Sequence, residues 1–87
     1  MRCVIGVLRV KCLFFAVYRE ILGTGELELE LPPGARLAEL IAVVRTRPGA
    51  DALPLALVVA VNHEYAPGDT VLADGDEIAF IPPVAGG

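Results

Sequence analysis

Glu26-Leu27-Glu28-Leu29-Glu30-Leu31 alternates charge and apolar bulk with a period of two, the clearest pattern in the chain. A strand turns successive side chains to opposite faces, so this segment predicts a half-buried strand with leucines inward and glutamates in water. Pro32-Pro33-Gly34 breaks it, and the apolar period then changes. From Arg36 to Arg47, Leu37, Leu40, Ile41 and Val44 recur at spacings of three, one and three, which is one face of a helix. Arg45 and Arg47 before Pro48-Gly49 suit its end, because cations favour the C-terminal dipole and proline stops the helix. Its start has no Ser, Thr, Asp or Asn cap, although Glu39 in the first turn suits the dipole.

The remaining segments complete the order. Val10 to Phe15 is dense in β-branched and aromatic residues and predicts a strand apolar on both faces except at Lys11. Alternation groups Val10, Cys12 and Phe14 against Lys11, Leu13 and Phe15. Ala16 to Leu22 predicts a short helical turn closed by Gly23. Pro48 to Pro54 is loop by composition, and Leu55 to Val61 is a further apolar strand ending at Asn62-His63, where Asn tolerates a left-handed backbone. Glu64 to Ala66 predicts a very short return strand before the Pro67-Gly68-Asp69 turn. Thr70 to Ala73 leads into the Asp74-Gly75-Asp76 turn, and Glu77 to Ile81 forms the last strand.

One long helix between two groups of strands implies an α+β fold, a mixed sheet packed on one main helix. If Ile78 and Phe80 face that helix, then Ala79, Ile81, Leu13 and Phe15 face away. A sheet face carrying Phe15 and Ile81 predicts a docking surface, the alternative being that Met1 to Arg9 folds over it.

Composition narrows the classes. Eighty-seven residues, 55% hydrophobic, supply one compact core and predict a single domain over 1–87, with 10–81 as its body and 82–87 as a tail. The net charge is −4 and the seven bases are scattered, which gives no nucleic-acid footprint. Lys11 is the only lysine. The uncharged runs Cys3 to Leu8 and Cys12 to Tyr18 are too short to cross a membrane or to form a good signal-peptide core. Cys3 and Cys12 form neither a C-x-x-C pair nor a disulfide framework, and a reducing cytoplasm fits them best. Met1 to Arg9 either lengthens the first strand or forms an adjunct arm.

Conventional chemistry is nearly absent. The chain has no serine, one histidine, no phosphate loop and no spacing that suits a metal. His63 beside Glu64 reads as a solvated turn residue, and Asp74, Asp76 and Glu77 as turn formers lacking the other ligands of a calcium loop. Cys12 reads as an inert small hydrophobe. What stands out is the ending, Pro82-Pro83-Val84-Ala85-Gly86-Gly87. Prolines stiffen its base, glycines add nothing that packs, and its tip is slim enough for a narrow channel with the Gly87 carboxylate as its distinctive group. Six residues reach at most about 20 Å when extended.

Leu13-Phe14-Phe15-Ala16, Arg19-Glu20, Val61-Asn62, Leu72-x-Asp74-Gly75-Asp76-Glu77-Ile78-Ala79-Phe80 and Pro82-Pro83-Val84-Ala85-Gly86-Gly87 occur in this order. Together they resemble the small, sulfur-carrier subunit of molybdopterin synthase, over Val10 to Gly87. The Gly-Asp-Glu strand running into Pro-Pro-Val-x-Gly-Gly is the specific part. The resemblance implies the ubiquitin-like β-grasp fold and a carrier with no turnover of its own, working in a cytoplasmic heterotetramer with the large synthase subunit. It implies that Gly87 is adenylated by a ubiquitin-activator-like enzyme using ATP. Sulfur from a sulfurtransferase or cysteine desulfurase would then make it a thiocarboxylate, and the tail would deliver that sulfur to cyclic pyranopterin monophosphate to build the dithiolene. On this resemblance Gly86 slims the tail for insertion, and Phe15, Tyr65, Ile81, Pro82, Pro83 and Val84 meet the partner. No metal and no permanently bound cofactor is implied, nor any nucleic acid or membrane.

Alternatives from the same fold are a carrier supplying thiamin, a modified tRNA base or cysteine, and a ubiquitin-like modifier that joins Gly87 to lysines. Phe80-Ile81-Pro82-Pro83 before the glycines favours the molybdopterin carrier. A structural interaction domain with an irrelevant tail is the plainest alternative. Two departures stand out: the added Met1 to Arg9, and Arg36 where Thr or Ser often starts the helix, at a cost of roughly 1 kcal/mol.

Overall fold

The computed structural model describes residues 7–82. Five strands and two helices follow in the order β1 (Leu8–Phe14), α1 (Ala16–Leu22), β2 (Glu26–Leu31), α2 (Leu37–Val44), β3 (Val58–Val61), β4 (Glu64–Tyr65) and β5 (Glu77–Ile81), with a 3₁₀ turn at Ala50–Ala52. The sheet order is β2-β1-β5-β3-β4. β1 lies parallel to β5 and antiparallel to β2, and β3 is antiparallel to both β5 and β4, so the sheet is mixed. This is an α+β, ubiquitin-like β-grasp fold.

The core forms where the predicted inner faces meet. Val10, Cys12 and Phe14 of β1, Val59 of β3, Ile78 and Phe80 of β5, and Leu37, Leu40 and Val44 of α2 are all buried in one cluster. Phe14 and Phe80 sit opposite each other across the parallel pair, with ring centroids 5.1 Å apart and planes tilted by 41°. That separation lies in the range favoured for aromatic pairs. In β2 the leucines turn toward this core and the glutamates outward, as the alternation requires.

Several boundaries differ from the sequence pattern, β4 for one ending at Tyr65 and not Ala66, and others have a local reason. β1 starts at Leu8, so Leu8 and Arg9 lengthen the first strand, while residues 1–6 lie outside the described residues. It ends at Phe14 because Phe15, still extended at φ −118° and ψ 153°, serves as the N-cap of α1. α2 ends at Val44, and Arg36 and 45–47 flank it instead of extending it: Thr46 N–H and Arg47 N–H donate back three residues, to Val43 O and Val44 O, tightening the chain before Pro48. β3 begins only at Val58. The Arg45 guanidinium donates to the carbonyls of Pro54 and Leu55 at 2.7 and 2.8 Å, taking them out of any ladder. Continuing the β3–β5 register would set Leu57 against Pro82, which has no N–H to offer.

The missing helix cap is supplied from elsewhere in the chain. Leu37 N–H donates to Thr70 O at 2.9 Å and Ala38 N–H to Gly68 O at 2.8 Å, which satisfies donors that a capping side chain would otherwise take. The Glu39 carboxylate accepts the Arg36 N–H at 2.7 Å, and the Arg36 guanidinium donates to Asp69 O at 3.0 Å. Arg36 therefore loses a hydroxyl cap and gains a clamp on the 68–70 loop.

Turns position the other strands. Gly23 closes α1 in the left-handed conformation at φ 77°, as expected. Asn62 and His63 both take positive φ, 51° and 74°, and make the tight two-residue link from β3 to β4. Asn62 is held there by side-chain bonds in both directions: its Nδ2 donates to Asp76 Oδ1 at 2.8 Å, and its Oδ1 accepts the Glu77 N–H at 3.0 Å. Asp76 also accepts the Ala73 N–H, and Asp74 accepts the Arg9 N–H, both at 2.8 Å. The acids of this turn are thus engaged in holding β5 beside β1.

Candidate docking surface at the root of the tail

Register decides what the outer face of the sheet presents. Leu13 pairs with Ala79, Ala79 with Ala60, and Ala60 with Tyr65, so these four form one row across β1, β5, β3 and β4. Phe15 follows β1, and Ile81 ends β5 on the same face two residues beyond Ala79. Together with His63 and Glu77 these residues line an open depression of about 340 Å³. Its walls are apolar and its floor is alanine. One end is polar, where His63 Nε2 stands 3.6 Å from Glu77 Oε1.

The aromatic walls are not used by the core. Tyr65 is 76% exposed and Phe15 45% exposed, whereas Phe14 and Phe80, one position away on the inner face, are buried. Beyond the depression, the same outer face turns charged: Lys11 lies in register between Glu28 and Glu77, and Arg9 pairs with Glu30 at 3.0 Å. That ion pair is exposed and worth little to stability.

Of the residues singled out from sequence, Phe15, Tyr65 and Ile81 converge on this depression. Pro82 follows Ile81 directly, at the end of the described chain and half-buried. Pro83, Val84, Gly86 and Gly87 lie outside the described residues. Sequence reasoning put Leu13 and Ala79 on the outer face, read His63 and Glu77 only as turn residues, and did not single out Ala60. Their places depend on which residue of β3 meets which of β5, and alternation within one strand does not say.

No rival centre emerges from the described residues. No group of three or more His, Cys, Asp or Glu among them is placed to hold a metal ion. Cys12 is fully buried, and burial pushes its thiol up to about 12 from 9.0, so at neutral pH it stays protonated and unreactive. Among the described residues, no helix is long and apolar enough to cross a membrane.

Residues 12–87 match the ThiS family model. A molybdopterin synthase sulfur carrier subunit of Chlamydomonas reinhardtii is 41% identical over 83 residues, covering 92% of this chain and all of that one. This chain belongs to the ThiS family and groups with the molybdopterin synthase sulfur carrier subunits. Solved structures agree with the sequence match. A Pyrococcus furiosus protein described as molybdopterin converting factor subunit 1 superposes with a TM-score of 0.81 at 34% identity, covering 88% of this chain and 99% of that one. A Helicobacter pylori structure, a complex of subunits 1 and 2 of the molybdopterin-converting factor, matches with a TM-score of 0.69 at 26% identity, over 92% of this chain and all of the matched one. The small archaeal modifier protein 1 of Methanosarcina acetivorans also matches, with a TM-score of 0.76 at 26% identity, over 94% of this chain and 99% of that one. The ThiS match runs through the tail to residue 87, the segment whose root is Pro82 beside the depression.

Proposed function

We propose that this chain carries sulfur on Gly87 and delivers it within molybdopterin synthase. The observation that carries this reading is the likeness of this chain to the Chlamydomonas carrier along the whole of that protein. On this reading the chemistry is carried by the tail, which the family match includes to residue 87. A carboxylate is a poor electrophile, and an adenylating enzyme that spends ATP converts it to an acyl-adenylate with AMP as a good leaving group. The terminal sulfur of a persulfide, supplied by a sulfurtransferase or cysteine desulfurase, displaces AMP. Cleavage of the sulfur–sulfur bond by a second thiol leaves the thiocarboxylate, which attacks cyclic pyranopterin monophosphate inside the large subunit.

This chain contributes a docking surface and a tether. Phe15, Tyr65 and Ile81 meet the large subunit, Pro82, Pro83 and Val84 set the direction of the tail, and Gly86 lets the tip enter. A complex of the two subunits in the Helicobacter structure supports the partnership. Scattered bases and net charge −4 leave nucleic acid without a footprint, and the reading places the protein in the cytoplasm, with no permanently bound cofactor.

The test is mass spectrometry after incubation with the adenylating enzyme, ATP and a sulfur donor. Replacement of one oxygen by sulfur raises the mass by about 16 Da, a general atomic difference, and deletion of Gly87 abolishes the shift. A shift that survives the deletion refutes the assignment. The likeness to the archaeal modifier favours a second reading, in which Gly87 forms isopeptide bonds. Under that reading the activated chain appears attached to lysines of other proteins, and the thiocarboxylate does not build up.

A further inference from the structure

Ala60 and Ala79 are directly opposed in the two adjacent strands β3 and β5, and both turn to the outer face. The fold has no use for alanine there. Alanine is depleted in strands, and an Ala–Ala cross-strand pair is the baseline above which β-branched and aromatic pairs stabilise a sheet. On the inner face the same strands place Val59, Ile78 and Phe80. A face meant only for water would be served better by threonine, which suits a strand and is polar. What two alanines do provide is depth. Ala60 is only 6% exposed because its neighbours rise around it, whereas Tyr65 beside it is 76% exposed.

We infer that Ala60 and Ala79 determine the fit of this surface: their small side chains form a socket into which the protein that receives the tail inserts one bulky apolar side chain. This rests on the proposed docking of the large subunit and adds which residues of the surface select it. The occupant follows from the tail. Five residues separate Pro82 from the end of Gly87, and they span at most about 18 Å. A protein that encloses Gly87 therefore has surface close to Ile81, which is both the last residue of β5 and a wall of the depression. A large side chain seated in a walled, desolvated pocket is the usual form of an interface hot spot. The His63–Glu77 end closes the socket with polar atoms, so the inserted group is apolar toward Phe15 and Ile81.

The experiment is titration of the full chain against the purified large subunit of the synthase, with thermal melting of each variant alone. Ala79→Leu and, as a smaller change, Ala60→Val fill the socket from below while pointing away from the core. Each is expected to weaken binding by about 30-fold or more, with melting close to the parent. Ala79→Ser keeps the clearance and is expected to bind within about threefold of the parent. If both filled variants bind like the parent while Phe15→Ala and Ile81→Ala lose binding, the socket inference is overturned and the docking surface stands. If none of the four changes binding, the docking surface itself is wrong. If Ala79→Ser weakens binding as much as Ala79→Leu, size is not what the partner reads and the inference again fails.

Discussion

Replacing Tyr65 by alanine separates docking from folding more cleanly than any other change on the outer face. A tyrosine buries about 150–250 Å² when fully covered. With 76% of Tyr65 exposed, the folded chain uses only about 40–60 Å² of it, worth about 1–1.5 kcal/mol at 25 cal/mol per Å². In a domain of this size that lowers the melting temperature by about 4–12 °C. The exposed remainder, about 110–190 Å², is worth about 3–5 kcal/mol if a partner covers it, less about 0.5–1.5 kcal/mol for ordering the side chain. The net, about 2–4 kcal/mol, corresponds to a Kd raised by about 30- to 1,000-fold. Thermal melting reads the first quantity and calorimetric titration against the large subunit the second. An unchanged Kd with an intact fold would remove Tyr65 from the interface. A melting temperature lowered by far more than about 12 °C would show that the ring belongs to the core and that the exposure argument is wrong.

Two further outcomes test the framework that holds this surface. The folded state keeps the Cys12 thiol protonated up to about pH 12, whereas the unfolded chain releases that proton near 9.0; the stabilisation is full below pH 9 and is lost as pH rises toward 12. At about 1.4 kcal/mol per pH unit the total is on the order of 4 kcal/mol. Urea unfolding at pH 8, 10 and 11 should show a decline in the parent that Cys12→Ala lacks, and identical slopes would rule out the thiol as its source. Gly49 sits at φ 85°, and a Cβ there would lie 2.7 Å from the Ile21 carbonyl of α1, whereas Gly34 has nearly the same φ, 84°, and open space. Gly34→Ala should cost about 1–2 kcal/mol from backbone strain alone. Gly49→Ala should cost clearly more, because α1 must shift from the 3₁₀ turn, and equal denaturation midpoints for the two variants would sink that argument.

Most of the architecture was legible because its signals are local. The Glu-Leu alternation of 26–31, the Leu37-Leu40-Ile41-Val44 face and the Gly23 stop each depend on residues within a turn or two, and the structure has strand, helix and cap there. The ends of elements were less legible. β3 starts late because Arg45 takes the carbonyls of Pro54 and Leu55 and Pro82 would face Leu57, and α2 finds its cap in the backbone of the 68–70 loop; these depend on residues about ten to thirty positions away.

The candidate site divides along the same line. A slim Gly-Gly tail after two prolines, a chain poor in catalytic side chains, and an apolar outer face that includes Phe15 and Ile81 are properties of the sequence alone, since composition and period two carry them. That Ala60 and Ala79 meet to form a floor, that Tyr65 rises beside it, and that His63 and Glu77 close one end were decided only by the tertiary structure. Strand register is a relation between segments far apart in the chain, selected by how inner faces pack together, and a one-residue slip would have turned a different set of side chains outward.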